Sequence, residues 1–318
     1  LEQQRRAQAR PSRLEAELRI QLGLEAPPST SPATNARAAW ASGQVDGLTV
    51  GLPPALARRF EGEERIHCVG TGIRLPAAPA AAPAPSSKAP LRALHILTNS
   101  LPWIRSGYTY RSQSVLHAQQ QAGVEVFAAT RLAYPTLIGR PWAGVADTVD
   151  GVTYQRLEPR FLPPGTDQRL ALQSEMLLGL VERHQPQVLQ TTTNFHNALT
   201  VDAVARATGL PWVYEMRGNM EQSWIARNRP EVQPDLLNSQ RYLRMRARET
   251  EMARRAGHVV ALSTTQQADL IARGISADKI TVVPNSVEDE LLSYPRDPKA
   301  AQRALGLSEG FWVGTVTA

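Results

Sequence analysis

The chain of 318 residues has a single cysteine, Cys68, and this excludes an intramolecular disulfide and any metal site built on a Cys-x-x-Cys pair. His67 beside Cys68 has no second cysteine or histidine near it, so we expect no metal. No apolar run reaches the roughly 18 residues of a membrane-spanning helix and the start has no signal-peptide layout, so we expect a cytoplasmic protein. The pattern G-x-G-x-x-G is also missing, which argues against an NAD or FAD enzyme.

The charge of the chain is basic but dispersed. The formal net charge is +6 and the isoelectric point about 9.8, with the arginines spread along helices rather than gathered into a dense run with aromatic residues. Such a balance favours anionic small molecules or a membrane surface as partners over a nucleic acid.

Composition divides the chain into four parts. Residues 1–75 read as a helical and irregular extension, and residues 76–91 as an Ala/Pro linker of semi-rigid extended character. Residues 92–287 alternate strand and helix patterns, and residues 288–318 form a closing segment. In the extension, Leu14, Leu18 and Leu22 recur every four residues and predict one amphipathic helix between residues 12 and 24.

The third part carries the fold prediction. Seven short apolar runs are separated by helical patterns, with a long connection rich in proline and glycine at 131–149. The predicted strands are 93–98, 124–129, 152–157, 188–191, 212–216, 259–262 and 280–283. Strands that alternate with helices form parallel sheets through right-handed crossovers. The sequence therefore predicts an α/β domain with a Rossmann-like, doubly wound parallel sheet.

The closing segment contains a further strand pattern, FWVGTVT at 311–317, with nothing after it to pair with. A lone buried strand is not stable without neighbours. We therefore expect that a second α/β domain begins here and is cut off.

Polar residues gather where predicted strands end, beginning with the stretch LPWVYEMRGN at 210–219. Its apolar run stops at Glu215, Arg217 and Gly218, and ligands of open α/β sheets bind outside the carboxyl ends of the strands. Glu215 and Arg217 are therefore candidate substrate-holding residues. The alternative is a surface salt bridge that closes a turn.

Three other strand ends supply candidates at the same edge. After the first strand, Ser106 and Gly107 precede a helix whose free backbone amides suit an anion. The alternative is that these residues form an ordinary turn without a ligand. His196 and Asn197 follow the fourth strand, where the histidine can bind a hydroxyl or take its proton, or merely neighbour a helix cap. Tyr108 and Arg111 are further candidates after the first strand. Asn285 and Ser286 follow the seventh predicted strand.

The chain resembles the amino-terminal half of family 4 retaining glycosyltransferases, which have the GT-B architecture of two facing Rossmann-like domains. The resemblance rests on the SGY loop at 106–108, GLPWVYEMRG, the arginine-rich helix that leads into AGHVVALS, and RGISADKITVVPNSVE at 273–288. The last stretch is similar to the family's hinge between domains. The resemblance covers about 94–317 and leaves the first 90 residues outside.

The resemblance implies that this domain holds the acceptor while a missing domain binds a nucleotide-activated sugar, with no further cofactor and no metal. Gly107 would lie near the donor phosphates, and Glu215, Arg217 and Gly218 would line the acceptor side of the cleft. Glu215, Arg217 and His196 are the predicted catalytic residues, whereas Gly107 and Gly218 are predicted to bind substrate. Ser286 and Glu288 replace the usual glycine and aspartate, and the family's histidine after the fourth strand is a threonine here, with His196 displaced toward the helix.

Two alternatives stay open. The family's paired glutamates belong to the missing domain, so this polypeptide is expected to be inactive alone; a non-catalytic binding or scaffold module is the competing function. The arginine-rich helix suits either a solvated face or an anionic membrane surface, because relatives of the family use lipid-linked acceptors. The expected partners are thus a nucleotide sugar and a glycan or lipid-linked acceptor, with peripheral contact at the inner membrane face as an option.

Overall fold

One sheet organises the computed structural model, which describes residues 12–24, 31–75, 89–287 and 289–315. The strands are β1 (Arg92–Leu97), β2 (Glu125–Thr130), β3 (Ala146–Val149), β4 (Val152–Gln155), β5 (Val188–Thr192), β6 (Trp212–Met216), β7 (His258–Ala261) and β8 (Ile280–Val282). Their order across the sheet is β3-β4-β2-β1-β5-β6-β7-β8. Strand order reverses between β1 and β5, so the doubly wound Rossmann-like prediction is confirmed.

All seven predicted strands are present within about two residues, but the sheet has an eighth strand that the sequence analysis missed. Strand β3 lies inside the predicted connection 131–149 and pairs antiparallel with β4. A two-residue turn joins them, with positive φ at both Asp150 and Gly151. Asp-Gly between two strands is a strong hairpin signal because it favours that left-handed turn. The sheet is therefore parallel except at this edge.

Helices cover both faces of the sheet. Those of the α/β domain are α4 (Gly107–Gln121), α5 (Thr166–His184), α6 (Phe195–Thr208), α7 (Met220–Ala226), α8 (Gln233–Leu236), α9 (Gln240–Arg255) and α10 (Thr264–Ala272). Helix α6 is buried over most of its length, from Phe195 to Ala205. Strand β1 is buried at five of its six positions, as expected for a central strand covered on both faces. The largest apolar cluster joins these strands to α5, α6 and α9.

The extension forms three helices, α1 (Arg13–Gln21), α2 (Pro32–Ala41) and α3 (Pro54–His67). The helix predicted between residues 12 and 24 is present, but its leucine stripe is not the packed face. Leu14, Leu18 and Leu22 are exposed, whereas Ala16 is fully buried. Polar contacts hold α1 instead, because Glu17 accepts hydrogen bonds from Thr34 and Arg37 of α2.

The extension packs on the α/β domain through the arginine-rich helix α9. The guanidinium of Arg241 lies between Trp40 of α2 and Trp224 of α7, 4.6 and 4.9 Å from the ring centroids. Arg244 forms an ion pair with Asp46 at 2.5 Å. These contacts are of the cation–π and charge-paired kinds that stabilise interfaces. The inner arginines of α9 therefore bind the extension rather than forming a solvated face.

The ends of the predicted parts differ in what the structure describes. The predicted linker 76–91 lies outside the described residues except for 89–91, as do residues 1–11, 25–30, 288 and 316–318. Beyond β8 the chain forms α11 (Asp289–Ser293) and α12 (Pro298–Ala304). The strand predicted at 311–317 is absent from its described residues 311–315, where Phe311 is exposed, because no neighbouring strand is there to accept its backbone hydrogen bonds.

Within the described ranges, no helix combines the length and apolarity that crossing a membrane requires.

The docking of the extension predicts a contrast between two glycines. Gly43 and Gly47 have positive φ, at +94° and +71°, so alanine is strained at both positions. A Cβ at Gly43 would lie 2.4 Å from the Cβ of Ser239 at the start of α9, whereas one at Gly47 meets nothing within 4 Å. We expect Gly43→Ala to lower the free energy of unfolding by about 2 kcal/mol more than Gly47→Ala, measured by chemical denaturation. Equal losses in the two variants would show that the extension does not pack on α9.

Candidate functional site

The loop after β1 ends in a capped helix start. The Ser106 hydroxyl accepts a hydrogen bond from the Thr109 amide at 3.4 Å, and the Thr109 hydroxyl accepts one from the Ser106 amide at 2.9 Å. This reciprocal arrangement is a capping box, which satisfies two of the free amides of a helix start. Ser106 therefore shapes the loop, while Gly107 in the first turn of α4 has open space where a side chain would stand.

A buried carboxylate lies at the carboxyl end of β6. The two oxygens of Glu215 accept hydrogen bonds from Arg111 and Arg217, each at 2.7 Å, and the Glu215 side chain is only 2% exposed. Arg217 also donates to the Tyr108 carbonyl at 2.8 Å and to the Ser112 hydroxyl at 2.7 Å. The predicted pair of Glu215 and Arg217 is therefore buried and forms an ion cluster with Arg111. It is not the surface salt bridge of the alternative interpretation.

Arg111 ties the first turns of α4 to the segment that follows β8. Besides Glu215, its guanidinium donates to the carbonyls of Val283 and Pro284, at 2.8 and 3.0 Å, and to the Asn285 side-chain oxygen at 3.1 Å. A planar guanidinium with five donors suits this role, because one rigid group fixes several acceptors at once. Arg111 thus sets the distance between α4 and the segment that follows β8.

The electrostatics of the cluster keep its carboxylate charged. Burial raises the pKa of Glu215, but the charges and hydrogen bonds of Arg217 and Arg111 outweigh burial and hold that pKa below its ordinary value. An ionised carboxylate whose two oxygens each face a guanidinium is a poor proton acceptor. Glu215 is therefore suited to positioning the two arginines and not to general-base chemistry.

A cleft of about 830 Å³ opens between α4 and the segment after β8. Six of the predicted site residues line it: Gly107, Tyr108, Arg111, Arg217, Asn285 and Ser286. Gly218, with φ of +149°, is not among the lining residues, but an added Cβ there would approach the Tyr108 hydroxyl to 3.6 Å. The size and mixed polarity of the cleft are those of a small-molecule site.

The cleft also has lining residues that the sequence analysis missed, and these include Tyr110, Leu262, Val283 and Val287. Leu262 and Val283 directly follow β7 and β8, so the rule that ligands bind at the carboxyl ends of strands could have found them. Tyr110 is half-exposed in the first turn of α4. Its signal was its place two residues from Tyr108.

His196 and Asn197 do not line the cleft. Asn197 is buried and donates to the Thr98 hydroxyl at 2.7 Å. The His196 ring stacks on Phe195, with centroids 4.3 Å apart, and meets the ring of His67 from the extension edge-on at 6.3 Å. Burial, followed by the charge of Arg248, lowers the pKa of His196 to about 4. This histidine is therefore neutral at pH 7 and packs beneath the extension.

A second buried carboxyl group, Glu249 of α9, contacts the residue before His196 and was not singled out from the sequence. It accepts hydrogen bonds from the Tyr214 hydroxyl and, at 2.9 Å, from the Phe195 amide at the start of α6. Burial raises the pKa of Glu249 to about 7.

Within the described residues, no group of three or more His, Cys, Asp or Glu side chains could hold a metal ion.

The structure is a doubly wound α/β domain with a cleft at the carboxyl edge of its sheet, and comparison with known families places it more narrowly. A family model described as "Glycosyl transferase 4-like domain" matches residues 106–286, more than half of the 318 residues. The chain belongs to this family of glycosyltransferase 4-like domains. The match spans the helix start at Ser106, the ion cluster and the segment after β8. The resemblance found in the sequence is thereby confirmed.

Solved structures similar to the chain include three enzymes. The lipopolysaccharide outer core galactosyltransferase WaaB is 13% identical with a TM-score of 0.43, over 62% of this chain and 46% of that one. Sucrose-phosphate synthase of Thermosynechococcus elongatus is 13% identical with a TM-score of 0.46, over 68% of this chain and 53% of that one. UDP-GlcNAc 2-epimerase of Methanocaldococcus jannaschii is 10% identical with a TM-score of 0.40, over 61% of this chain and 46% of that one. The chain spans about half the length of these proteins. No curated protein sequence matches the chain.

The buried ion cluster predicts a large stability effect. Arg217→Ala leaves Glu215 buried with one guanidinium in place of two, and breaking a buried pair costs about 3 kcal/mol or more. We expect that loss in the free energy of unfolding from urea denaturation. The control is Arg19→Ala, which removes an exposed ion pair with Glu15 and should cost about 0.5 kcal/mol or less. Similar losses in both variants would contradict the cluster.

The histidine pair predicts a pH effect on stability. Burial, followed by the charge of His196, lowers the pKa of His67 to about 4, below its ordinary value of 6.5. A lowered folded-state pKa of a base gives stability that is complete above pH 6.5 and is lost as the pH falls toward 4. Between pH 7.5 and 5, the free energy of unfolding of His67→Phe should therefore fall less than that of the wild type, by on the order of 2 kcal/mol.

The difference between the two proteins is the informative quantity in that experiment. Glu249, whose pKa is raised to about 7, contributes in the opposite direction, because its stability loss develops as the pH rises from its ordinary value of 4.5 to 7. Both proteins contain Glu249, so its contribution cancels. Parallel pH profiles for wild type and His67→Phe would show that His67 is not buried in the neutral form.

Proposed function

We propose that the chain is the acceptor-side domain of a retaining glycosyltransferase. The enzyme takes a sugar from a nucleotide-activated donor and transfers it to a hydroxyl group of a glycan, a lipid-linked molecule or another acceptor. Two findings support the proposal: membership of the glycosyltransferase 4-like family, and a cleft at the carboxyl edge of the sheet. Because one fold supports many activities, the proposal depends on the residues of the cleft and not on the fold alone.

The observation that carries the proposal is the junction of the two cleft walls at Arg111. One wall is the first turns of α4, with Gly107 and two half-exposed tyrosines, and the other is the segment that carries Asn285 and Ser286. Aromatic faces and polar side chains are what a polyhydroxylated ligand needs, because sugars offer both apolar ring faces and hydroxyl groups. The cleft is thus equipped for a sugar or a sugar-bearing acceptor.

The predicted catalytic residues take different parts in this proposal. Glu215 holds Arg111 and Arg217 in place and acts as a positioning residue. Arg217 lines the cleft with most of its donors engaged, so it acts by fixing Tyr108 and Ser112. His196 lies outside the cleft lining and does not touch an acceptor bound there. Direct contacts then come from Gly107, which lets a ligand approach the helix start, and from the polar groups of the opposite wall.

The nucleotide of the donor is assigned to a second domain, as the resemblance implies. The isolated chain should then bind nucleotide sugars poorly and should not catalyse transfer by itself. Calorimetry with uridine, guanosine and adenosine diphosphate sugars is expected to show no tight site. Micromolar binding of one of them by this chain would overturn that division of labour.

Filling the cleft tests the proposal in the full-length enzyme. Gly107→Leu places a side chain where nothing lies within 4 Å, at the mouth of the cleft, and Gly179→Leu does so on α5, away from the cleft. Both glycines are helical, so leucine should not destabilise either helix. We expect Gly107→Leu to lower kcat/KM for glycosyl transfer by about 100-fold and Gly179→Leu to leave it unchanged. Equal activity of the two variants would remove the cleft from the reaction.

A further inference from the structure

A second concave site lies on the seam between the extension and the α/β domain. It encloses about 580 Å³, within the range of small-molecule sites, and shares no lining residue with the cleft. One wall is the end of α3 and residues 70–74, and the other is formed by α5, α6 and α9. We call it the seam pocket, and its lining contains five arginines: Arg65, Arg74, Arg206, Arg248 and Arg255.

Carboxylates balance only part of this charge. Arg65 pairs with Asp167, Arg206 and Arg255 with Asp202, and Arg248 and Arg255 with Glu251. Five guanidiniums thus face three carboxylates, and a positive excess is left at the pocket. An excess of one sign in a concave, partly dehydrated site concentrates ions of the opposite sign.

Arg74 and Arg248 both have donors without a partner among the described residues. Arg74 is exposed at the pocket, and none of the described residues forms a hydrogen bond or ion pair with its guanidinium. Arg248 is fully buried, and its Nε has no hydrogen-bond partner among the described residues. A buried unsatisfied donor on a charged group costs free energy unless an acceptor meets it. The exposed guanidinium of Arg74 therefore gives the seam pocket donors that an anionic ligand can satisfy.

The pocket is preformed by bonds across the seam. Arg206 donates to the Ile73 carbonyl at 2.9 Å and Arg248 to the Thr71 carbonyl at 3.0 Å. The amide of Gly70 donates to Glu251 at 3.2 Å. These bonds hold residues 70–73 of the extension against α6 and α9 before any ligand binds, so little conformational entropy is lost on binding.

We propose that the seam pocket binds the phosphate group of a small molecule. Guanidiniums approach from the extension, from α6 and from α9, and phosphate offers oxygens in several directions, whereas a carboxylate offers two in one plane. Arginine pairs with phosphate through charge-assisted, two-pronged hydrogen bonds. The volume leaves room for a sugar or nucleoside attached to that phosphate. The inference is independent of the proposed glycosyl transfer, because the cleft lies elsewhere.

Calorimetric titration of the full chain with pyrophosphate, at constant ionic strength, tests the proposal. We expect one saturable site whose affinity falls at least about tenfold in the double variant Arg65→Ala/Arg74→Ala. Both side chains are exposed, so the variant should fold. Arg160→Ala is the matched control, because Arg160 is exposed and does not line the pocket. It should bind pyrophosphate as the wild type does.

A further variant separates the two sites. Arg111→Ala alters the cleft and should leave pyrophosphate binding intact. Loss of binding in Arg111→Ala with retention in the double variant would overturn the seam pocket, as would the absence of any saturable heat. Co-sedimentation with phosphatidylglycerol vesicles identifies the source of the phosphate. A decrease in the double variant alone assigns a lipid headgroup, and no difference from the wild type assigns a soluble phosphate compound.

Discussion

The buried pairing of Glu215 with Arg111 and Arg217 is the interaction on which the rest of the site depends. Glu215 lies one residue before the end of β6, Arg111 belongs to α4, and Arg111 in turn holds the carbonyls that follow β8. One carboxylate thus connects three elements that are distant in the sequence and adjacent at the carboxyl edge of the sheet. Since the charges of Glu215 and Arg217 are buried, the cluster is stable only when all its partners are in place. That requirement fixes the width of the cleft.

The extension is a structural partner of the α/β domain. Its helices bind α9 through Arg241 and Arg244, and its His67 ring packs near His196 at the start of α6. The basic character of α9 therefore has an internal explanation, because two of its arginines are neutralised or stacked by residues of the first 75. The same packing produces the seam pocket, since neither the extension nor the domain encloses that volume alone.

Two sites at different places give the domain two distinct chemistries. The cleft offers aromatic faces, a glycine and polar side chains, which suit sugars and their hydroxyl groups. The seam pocket offers guanidiniums in excess over carboxylates, which suits phosphate. Membership of the glycosyltransferase 4-like family bears on the first site, because the matched region 106–286 contains its walls up to Ser286. Much of the seam pocket comes from residues 65–74, which precede that region.

Hydrophobic periodicity by itself determined the sheet, its seven mutually parallel strands and the position of its carboxyl edge, because buried strands and covering helices leave distinct local patterns. It also placed Gly107, Arg217 and Asn285 at that edge. Only the tertiary structure decided which polar residues meet there. Arg111 contacts Glu215 from 104 positions away, and His196 lies under the extension although its strand ends at the same edge. The leucines of α1 followed the helical period and yet are exposed. Periodicity records what a helix can bury, whereas packing partners decide what it does bury.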